Sequence, residues 1–338
     1  MRTLVSTRKQ RIFRFFLVIL ILSFVGAGGV TAKEEEDVDL REENDALSSQ
    51  SILDRYHSYL REKFHGPVVW FDDFFGDPRL EFEELPASFV RLRVVARYTE
   101  GEGFDFPLRL RANVKMPRFT RRFRLIVVGE NEDDIAETQK DKADNPGLDL
   151  QPNDNRTNLG LRYLVYKNLR SRFHFGGGVS LHTPVESYVR MYYRRLAHIG
   201  KNNVIKLTET VFWNTRHGFG ETSRIDMERV LLEDLTGRVS LFGTYAEDSN
   251  GLDWGGEVNL FRQLTGKSAV AFDFGAYGET RPEKRMTNYR VASRYRRNFY
   301  RPWLFFELEP GVNFPLVAEQ GREAVGYLSV VFEIQFLS

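Results

Sequence analysis

The stretch Gly326-Tyr-Leu-Ser-Val-Val-Phe-Glu-Ile-Gln-Phe-Leu-Ser338 decides the fold. Side chains of a β-strand point alternately to its two faces, so this stretch predicts a strand with two unlike faces. The apolar face carries Leu328, Val330, Phe332, Ile334 and Phe336, and the mostly polar face carries Ser329, Val331, Glu333 and Gln335. The stretch is about as long as a tilted membrane-spanning strand, roughly 9–11 residues. It is therefore typical of the closing strand of an outer-membrane barrel, apolar outside and polar inside.

The composition agrees with a barrel and argues against a helical membrane protein. Aromatic residues make up 14% of the 338 residues, and 28 of them are Phe, yet the mean hydropathy is −0.40. After residue 30 the chain has no apolar run of about 20 residues, which a membrane-spanning helix needs. A barrel stays hydrophilic on average because its inward positions are polar.

The charge and the missing cysteines exclude several classes of function. The chain has no Cys, so disulfides, thiolate metal sites, cysteine nucleophiles and an N-terminal lipidated cysteine are excluded. The net charge is +1, which gives no support for nucleic-acid binding. We identify no catalytic, cofactor-binding or metal-ligating set, and we expect no cofactor.

The first residues read as a secretory signal. Residues 1–32 combine a basic start, an apolar run over residues 15–25 and a small-residue cleavage pattern at Val30-Thr-Ala32. We expect cleavage near Ala32 and a location in the outer membrane of a Gram-negative cell. The alternative is an uncleaved inner-membrane anchor.

The next segment precedes the strands and is divided in two. Residues 33–50 are acidic and poor in apolar side chains, which predicts a disordered periplasmic arm. Residues 51–87 begin with apolar side chains at helical spacing up to Phe64 and continue into the aromatic and acidic stretch Trp70-Phe-Asp-Asp-Phe-Phe-Gly76. We interpret them as a periplasmic helix with an aromatic linker. The helix is expected to pack at the barrel rim or, alternatively, to plug the lumen.

Residues 88–338 are predicted to form the successive strands of the barrel. Period-two alternation and turn signals predict about fourteen antiparallel strands, with twelve as the alternative. Short and longer connections largely alternate, as expected for periplasmic turns and outer loops, and residues 131–158 form a long outer loop. Aromatic residues near strand ends are expected to form interfacial girdles. They are Tyr98, Phe104, Tyr163, Tyr188, Trp213, Trp254, Tyr277, Tyr289, Trp303 and Tyr327.

A soluble β-sandwich alternates in the same way and is the main competing fold. Many predicted inner faces carry several ionised groups, which a dry sandwich core does not hold. The alternative is that these charges form the solvent face of a sandwich. The loop alternation and the terminal strand favour the barrel.

Four segments resemble those of uncharacterised secreted, β-rich or porin-like outer-membrane β-barrel proteins of Gram-negative bacteria. The resemblance spans most of residues 70–338 and implies fold and location only, with no activity or site residues. The segments are Phe104-Asp-Phe-Pro-Leu-Arg-Leu-Arg-Ala-Asn-Val-Lys-Met-Pro117, Gly220-Glu-Thr-Ser-Arg-Ile-Asp226, Gly278-Glu-Thr-Arg-Pro282 and Arg301-Pro-Trp-Leu-Phe-Phe-Glu-Leu-Glu-Pro310.

The inward positions of the predicted strands suggest a function. Early strands contribute mostly arginines and later strands contribute carboxylates, so an arginine-rich arc is expected to face a carboxylate arc. Such charges select solutes in a water-filled pore, and guanidinium suits anions. We therefore expect a porin-like channel for passive diffusion of small polar or anionic solutes. The predicted pore-lining residues are Arg91, Arg93, Arg97, Arg109, Arg111, Lys115, Arg122, Arg124, Arg162, Arg190, Arg194, Asp226, Glu228, Glu257, Glu307, Glu309 and Glu333.

Two alternatives remain open at this point. Charge pairing across a filled lumen, such as Glu333 with Arg91 or Arg93 where the barrel closes, would give a non-conducting structural or assembly barrel. An outer-membrane lipid hydrolase is the third hypothesis, because His174, Ser180 and His182 share one strand face. For partners we expect outer-membrane lipid, small polar or anionic solutes, and the barrel-assembly machinery acting through the C-terminal strand. The sequence does not indicate an oligomeric state.

Overall fold

A computed structural model describes the part of the chain that follows residue 87, together with Phe74. The described ranges are 88–115, 122–130, 156–168, 170–181, 185–199, 203–216, 218–248, 251–317 and 321–337. The expected signal, the acidic arm, the helix over residues 51–64 and most of the outer loop over residues 131–158 lie outside them. No helix among the described residues is long and apolar enough to cross a membrane.

The described chain consists almost entirely of strands. Their bounds are β1 (Phe89–Thr99), β2 (Gly103–Asp105), β3 (Leu108–Lys115), β4 (Phe123–Glu130), β5 (Arg156–Lys167), β6 (Ser171–Leu181), β7 (Glu186–Ile199), β8 (Asn203–Asn214), β9 (Gly218–Leu232), β10 (Leu235–Ala246), β11 (Leu252–Thr265), β12 (Ser268–Glu279), β13 (Arg285–Asn298), β14 (Leu304–Asn313), β15 (Leu316–Val317), β16 (Gly321–Arg322) and β17 (Val325–Leu337).

Fifteen of these segments build the fourteen strands of one closed antiparallel wall. β2 and β3 both pair with β1 and together form the second wall strand, interrupted at Phe106 and Pro107. β15 and β16 form a separate two-stranded hairpin between β14 and β17. Every other wall strand pairs with its sequence neighbours, and β17 pairs with both β14 and β1. The predicted all-β fold, an antiparallel barrel of about fourteen strands, is confirmed.

The terminal stretch closes the barrel, as its two-faced pattern predicted. Phe89 pairs with Leu337 and Thr99 pairs with Tyr327, so β1 matches β17 along its whole length. Closure leaves no unpaired sheet edge, which an open sheet would expose. In β17 the outward Leu328, Phe332 and Phe336 are exposed, whereas the inward Ser329 and Glu333 are 3% and 1% exposed.

The two ends of the barrel differ in the length of their connections. Two-residue turns join β9 to β10 and β11 to β12, at the same end as Phe89 and Leu337. The opposite end carries the two longest connections, the one between β4 and β5 and the one between β14 and β17. Following the rule for outer-membrane barrels, we call the first end the periplasmic end and the second the outer end.

The prediction that aromatic residues near strand ends form girdles on the outside of the barrel is only partly correct. Tyr98 and Phe104 lie on the outside near one end and their rings are 5.1 Å apart. Trp303 stacks on Phe336 near the other end, at 6.5 Å. The prediction is wrong for three tyrosines that point into the barrel, since their side chains are buried on the inward face of their strands: Tyr188, Tyr277 and Tyr327.

Candidate functional site

Period-two alternation brings the charged side chains of the wall together inside the barrel. The inward residues of β1 show how this works, because Arg91 and Arg97 are buried while the outward Val94 and Tyr98 are exposed. Each strand contributes one or more such charges. The candidate functional site is therefore the lumen, and its charges fall into three paired clusters and one arc of arginines.

The first cluster lies where the barrel closes. Glu333 of β17 accepts hydrogen bonds from both terminal nitrogens of Arg296, at 2.8 and 3.0 Å. Its carboxylate is also 3.1 Å from Nε of Arg91 and 3.4 Å from Nε of Arg93. Glu307 accepts from Arg93 at 2.9 Å and from Arg296 at 3.1 Å. Three guanidinium groups thus share two carboxylates, which are each 1% exposed.

The second cluster lies beside the first, toward the outer end. Arg290 donates to the carboxylate of Glu309 and, at 2.9 Å, to the hydroxyl of Tyr327. The Tyr327 hydroxyl donates in turn to Glu309 at 3.0 Å. Arg294 donates to Asp273 at 3.0 Å and lies 3.7 Å from Glu309. These five residues of β12, β13, β14 and β17 form one continuous network.

The third cluster spans β8 to β12. Arg224 donates to Asp226 at 2.9 Å and lies 3.8 Å from Glu257. Glu257 also accepts from the hydroxyl of Tyr277 at 3.0 Å. Farther along the same wall, Arg238 donates to Glu228 at 2.8 Å. Each of these carboxylates therefore has a cation on its own strand or on a nearby one.

The structure does not place the carboxylates in an arc of their own, because they lie among arginines. Asp226, Glu228, Glu257, Glu307, Glu309 and Glu333 each form an ion pair with an arginine of the wall. The pairing of Glu333 with Arg91 and Arg93 is the one that barrel closure suggested. Paired charges cancel over short distances, so this side of the lumen contributes little net field.

The opposite side of the lumen is basic. We call the seven arginines that β3 to β7 direct into the barrel the arginine arc. No acidic side chain is among those described in β3, β4, β5 and β6. The arginine arc consists of Arg109, Arg111, Arg124, Arg162, Arg172, Arg190 and Arg194.

Arginines of the wall face one another across neighbouring strands. In the described part of the barrel there are four such pairs, and each joins residues directly opposite in the antiparallel register. Like charges directly opposite destabilise a sheet. The pairs are Arg91 with Arg111, Arg93 with Arg109, Arg124 with Arg162, and Arg172 with Arg194.

The predicted lining residues occupy the following places. Arg93 and Arg124 point inward and are half-buried. Lys115 is the last residue of β3, and its side chain is not among those that the structure describes. Arg122 lies in the exposed turn before β4, where Nη1 is 3.5 Å from the Tyr163 hydroxyl, so it is not part of the inner wall. The others are buried on inward faces: Arg91, Arg97, Arg109, Arg111, Arg162, Arg190, Arg194, Asp226, Glu228, Glu257, Glu307, Glu309 and Glu333.

Several inward charges were not singled out from the sequence. Arg172, Lys206 and Arg238 follow the same period-two rule as their neighbours, and strand alternation could have found them. Glu186 lies at the outer end of β7, 3.8 Å from Arg216. The three cations add to the basic character of the lumen, whereas Glu186 adds a carboxylate.

The hydrolase hypothesis finds no assembled site. Ser180 and His174 both belong to β6, six positions apart, which corresponds to about 20 Å along a strand. Ser180 pairs with Asn158, whereas the His174 ring lies 5.9 Å from that of Tyr192. His182 lies outside the described residues. Ser180 and His174 therefore do not meet.

These features define the class of protein. A closed antiparallel barrel of fourteen strands with an apolar exterior, a charged interior and unequal ends is the architecture of outer-membrane β-barrels. Neither the protein-family models nor the curated protein sequences compared with the chain match it.

Solved structures with a similar course of the chain include outer-membrane channels and porins, at low identity. The CymD monoaromatic hydrocarbon channel is 6% identical, with a TM-score of 0.49 over 78% of this chain and 92% of that one. The outer membrane channel DcaP of Acinetobacter baumannii is 8% identical, with a TM-score of 0.45 over 74% and 96%. The KdgM porin is 6% identical, with a TM-score of 0.36 over 73% and 99%. The fold assignment rests on the strand pairing of this chain itself.

Proposed function

We propose that the barrel is a porin-like channel of the Gram-negative outer membrane through which small polar and anionic solutes diffuse. The observation that carries this proposal is the set of opposed arginines inside the wall. Arg109 and Arg111 are opposite Arg93 and Arg91, which also contact Glu333. Arg124 is directly opposite Arg162, and Arg172 is directly opposite Arg194, where like charges cost stability. A wall that needed only stability would place carboxylates or neutral residues there.

An anion between opposed guanidinium groups turns repulsion into attraction. Guanidinium presents a planar fork of donors that matches carboxylate and phosphate, and it remains charged at any physiological pH. Charged linings select ions by electrostatics at close range. We assign the selection of anions to the arginine arc, where arginines of neighbouring strands are directly opposite one another.

The proposal extends to delivery of the protein to the membrane. We propose that residues 1–32 direct secretion and are cleaved near Ala32, and that the assembly machinery recognises the C-terminal strand β17. That strand presents a row of exposed apolar side chains, including Leu328, Phe332 and Phe336. The same row then faces lipid in the assembled barrel.

A non-conducting structural barrel is the second candidate. Nearly all inward charges are buried, and Arg296 is 0% exposed. Phe74, which precedes the wall in the sequence, is also buried against inward residues of the barrel. A filled lumen would hold the ion-pair clusters as a rigid framework and pass nothing.

Reversal potentials in a planar bilayer under a salt gradient test the proposal. The variant Arg109→Gln/Arg111→Gln/Arg162→Gln/Arg190→Gln is expected to shift the reversal potential toward cation preference, because it removes four charges of the arginine arc. The matched control replaces four exposed cations by Gln: Arg262, Lys267, Arg297 and Arg301.

The outcomes separate the two candidate functions. An unchanged reversal potential in the arc variant contradicts the role of the arc. Stable silence of every protein, each with the heat-modifiable gel mobility of a folded barrel, supports the non-conducting alternative.

A further inference from the structure

Inward glycines and aromatic side chains lie against each other along the wall. A Cβ built at Gly220 would overlap the ring of Phe212, so this ring lies directly on the glycine. A ring can approach the backbone so closely because glycine has no side chain of its own. The same relation holds at five other inward glycines, which are Gly160 and Gly178 with Tyr188, Gly255 with Phe242 and Tyr277, Gly275 with Tyr277, and Gly311 with Tyr327.

Gly176 of β6 is an inward glycine on which no described residue places an aromatic ring. The described atoms nearest to a Cβ built there are the carbonyl oxygen of Leu161, at 3.0 Å, and Cα and Cβ of Arg162, at 3.6 and 3.9 Å. Gly176 is directly opposite Arg162 of β5 on one side and Arg190 of β7 on the other. The inner wall therefore has, between two arginines, a position of the kind that elsewhere holds a ring.

The inward residue that precedes Gly176 on the same strand is His174. Both of its ring nitrogens are buried, and neither has a hydrogen-bond partner in the part of the chain that the structure describes. A neutral imidazole offers one donor and one acceptor, and buried polar groups are normally hydrogen-bonded. A hydroxyl group both donates and accepts, so a hydroxyl group beside Gly176 would satisfy His174.

We infer that Gly176 is the seat for the ring of a hydroxylated aromatic carboxylate, of which 4-hydroxybenzoate is a simple example. The ring lies flat on the backbone of Gly176, as the rings of the wall lie on the other glycines. The carboxylate binds the guanidinium groups of Arg162 and Arg190, whose donors match it, and the hydroxyl group faces His174. Both arginine side chains have many rotamers, so they can turn aside as the ring enters. The inference names a solute class for the proposed channel and rests on that function.

Isothermal titration calorimetry of the folded full chain in detergent tests the seat. The wild type is expected to bind 4-hydroxybenzoate about threefold or more tightly than trans-4-hydroxycyclohexanecarboxylate, because the two have the same charge and polar groups but only the first has a flat ring that stacks. It is also expected to bind 4-hydroxybenzoate about threefold or more tightly than benzoate, because benzoate lacks the hydroxyl group that pairs with His174.

Gly176→Ala and Gly177→Ala form a matched pair of variants. A Cβ would lie 3.0 Å from the carbonyl oxygen of Leu161 at Gly176 and 3.1 Å from that of Tyr188 at Gly177, so the steric demand is similar. Gly177, however, faces the outside of the barrel, opposite the exposed Val189. Gly176→Ala is expected to abolish the preference for the flat ring, and Gly177→Ala is expected to keep it. His174→Leu is expected to abolish only the preference for 4-hydroxybenzoate over benzoate.

Two results would overturn the seat. The first is equal affinity of the wild type for 4-hydroxybenzoate and its cyclohexane analogue, a comparison that needs no variant. The second is an equal change of the preference in Gly176→Ala and Gly177→Ala, with the fold of each variant checked by heat-modifiable gel mobility.

Bilayer recordings in gradients of the same carboxylates distinguish failure of the seat from failure of the proposed channel. Binding in the expected order by a protein that stays silent in the bilayer supports the seat and overturns the channel. Anion-selective conduction without a difference in binding between the two ring types supports the channel and overturns the seat.

Discussion

Arg124 of β4 and Arg162 of β5 are directly opposite each other on the inner wall of the barrel. Arg162 is 4% exposed, and Arg124 donates to the side-chain oxygen of the buried Asn113 at 3.3 Å. Two arginines thus occupy directly opposite positions in a wall that could have placed a carboxylate at either position. The arrangement is expected to be most stable with an anion between the two groups.

Anion binding should therefore stabilise the wild-type barrel. Multivalent anions such as sulfate or citrate are expected to raise its urea midpoint above that in chloride at equal ionic strength, because a ligand that binds only the folded state shifts unfolding. In Arg124→Gln/Arg162→Gln this difference should shrink by half or more. Loss of heat-modifiable mobility across a urea series measures the midpoint.

The control for this prediction changes the same number of charges elsewhere. Arg262→Gln/Arg297→Gln removes two exposed cations and should leave the sulfate effect intact. If the inner pair and the outer pair respond equally, sulfate acts through general salt effects and not through the arginine arc.

Replacing Glu333 should destabilise the barrel where β17 closes on β1. Its carboxylate is 1% exposed and lies within 3.4 Å of Arg91, Arg93 and Arg296. Glu333→Gln removes the negative charge that the buried Arg91 and Arg296 and the half-buried Arg93 all contact. Breaking a buried ion pair from one side costs about 3–5 kcal/mol. We expect a loss of that size in the free energy of unfolding in urea.

Glu323→Gln is the matched control, because Glu323 is exposed between β16 and β17. It should change the free energy of unfolding by less than about 0.5 kcal/mol. Equal stability of Glu333→Gln and the wild type would mean that the closing cluster does not stabilise the seam.

The sequence predicts the strands of this barrel and which charged side chains point inward, but it does not predict the burial of Phe74. Alternation alone places Arg91, Glu333 and their neighbours inside, and closure of the last strand on the first puts them within reach. The facing direction of Tyr188, Tyr277 and Tyr327 was missed because closeness to a strand end does not fix the face. The burial of Phe74 has no local signal, since it depends on small side chains at Ala269 and Ala271 far along the chain.

The hydroxyl of Tyr327 should contribute to stability through its two charged partners. It accepts from Nε of Arg290 at 2.9 Å and donates to Glu309 at 3.0 Å. Tyr327→Phe keeps the ring and removes both hydrogen bonds, so it should cost about 1.5–3 kcal/mol, the range for hydrogen bonds to charged groups. Tyr300→Phe, at a residue that is 85% exposed, is the control in the same urea experiment. No difference between the two variants would contradict the network.

The inward tyrosines should make nearby glycines irreplaceable. A Cβ built at Gly311 would approach the ring of Tyr327, including Oη at 2.5 Å, and one at Gly275 would lie 2.6 Å from Oη of Tyr277. Real side chains do not tolerate such contacts, so the ring has to move and its hydrogen bonds to Glu309 or Glu257 are lost. Gly311→Ala is expected to cost about 1–3 kcal/mol, the usual price of overpacking.

Gly266→Ala separates this steric effect from a general effect of replacing glycine. Gly266 lies in the turn between β11 and β12, and a Cβ there would have no neighbour within 4 Å. Its urea midpoint should stay near that of the wild type. The double variant Gly311→Ala/Tyr327→Ala is the sharper measurement, because removing the ring removes the clash. If Gly311→Ala still destabilises the Tyr327→Ala background by the same amount, the glycine is needed for the backbone and not for the tyrosine ring.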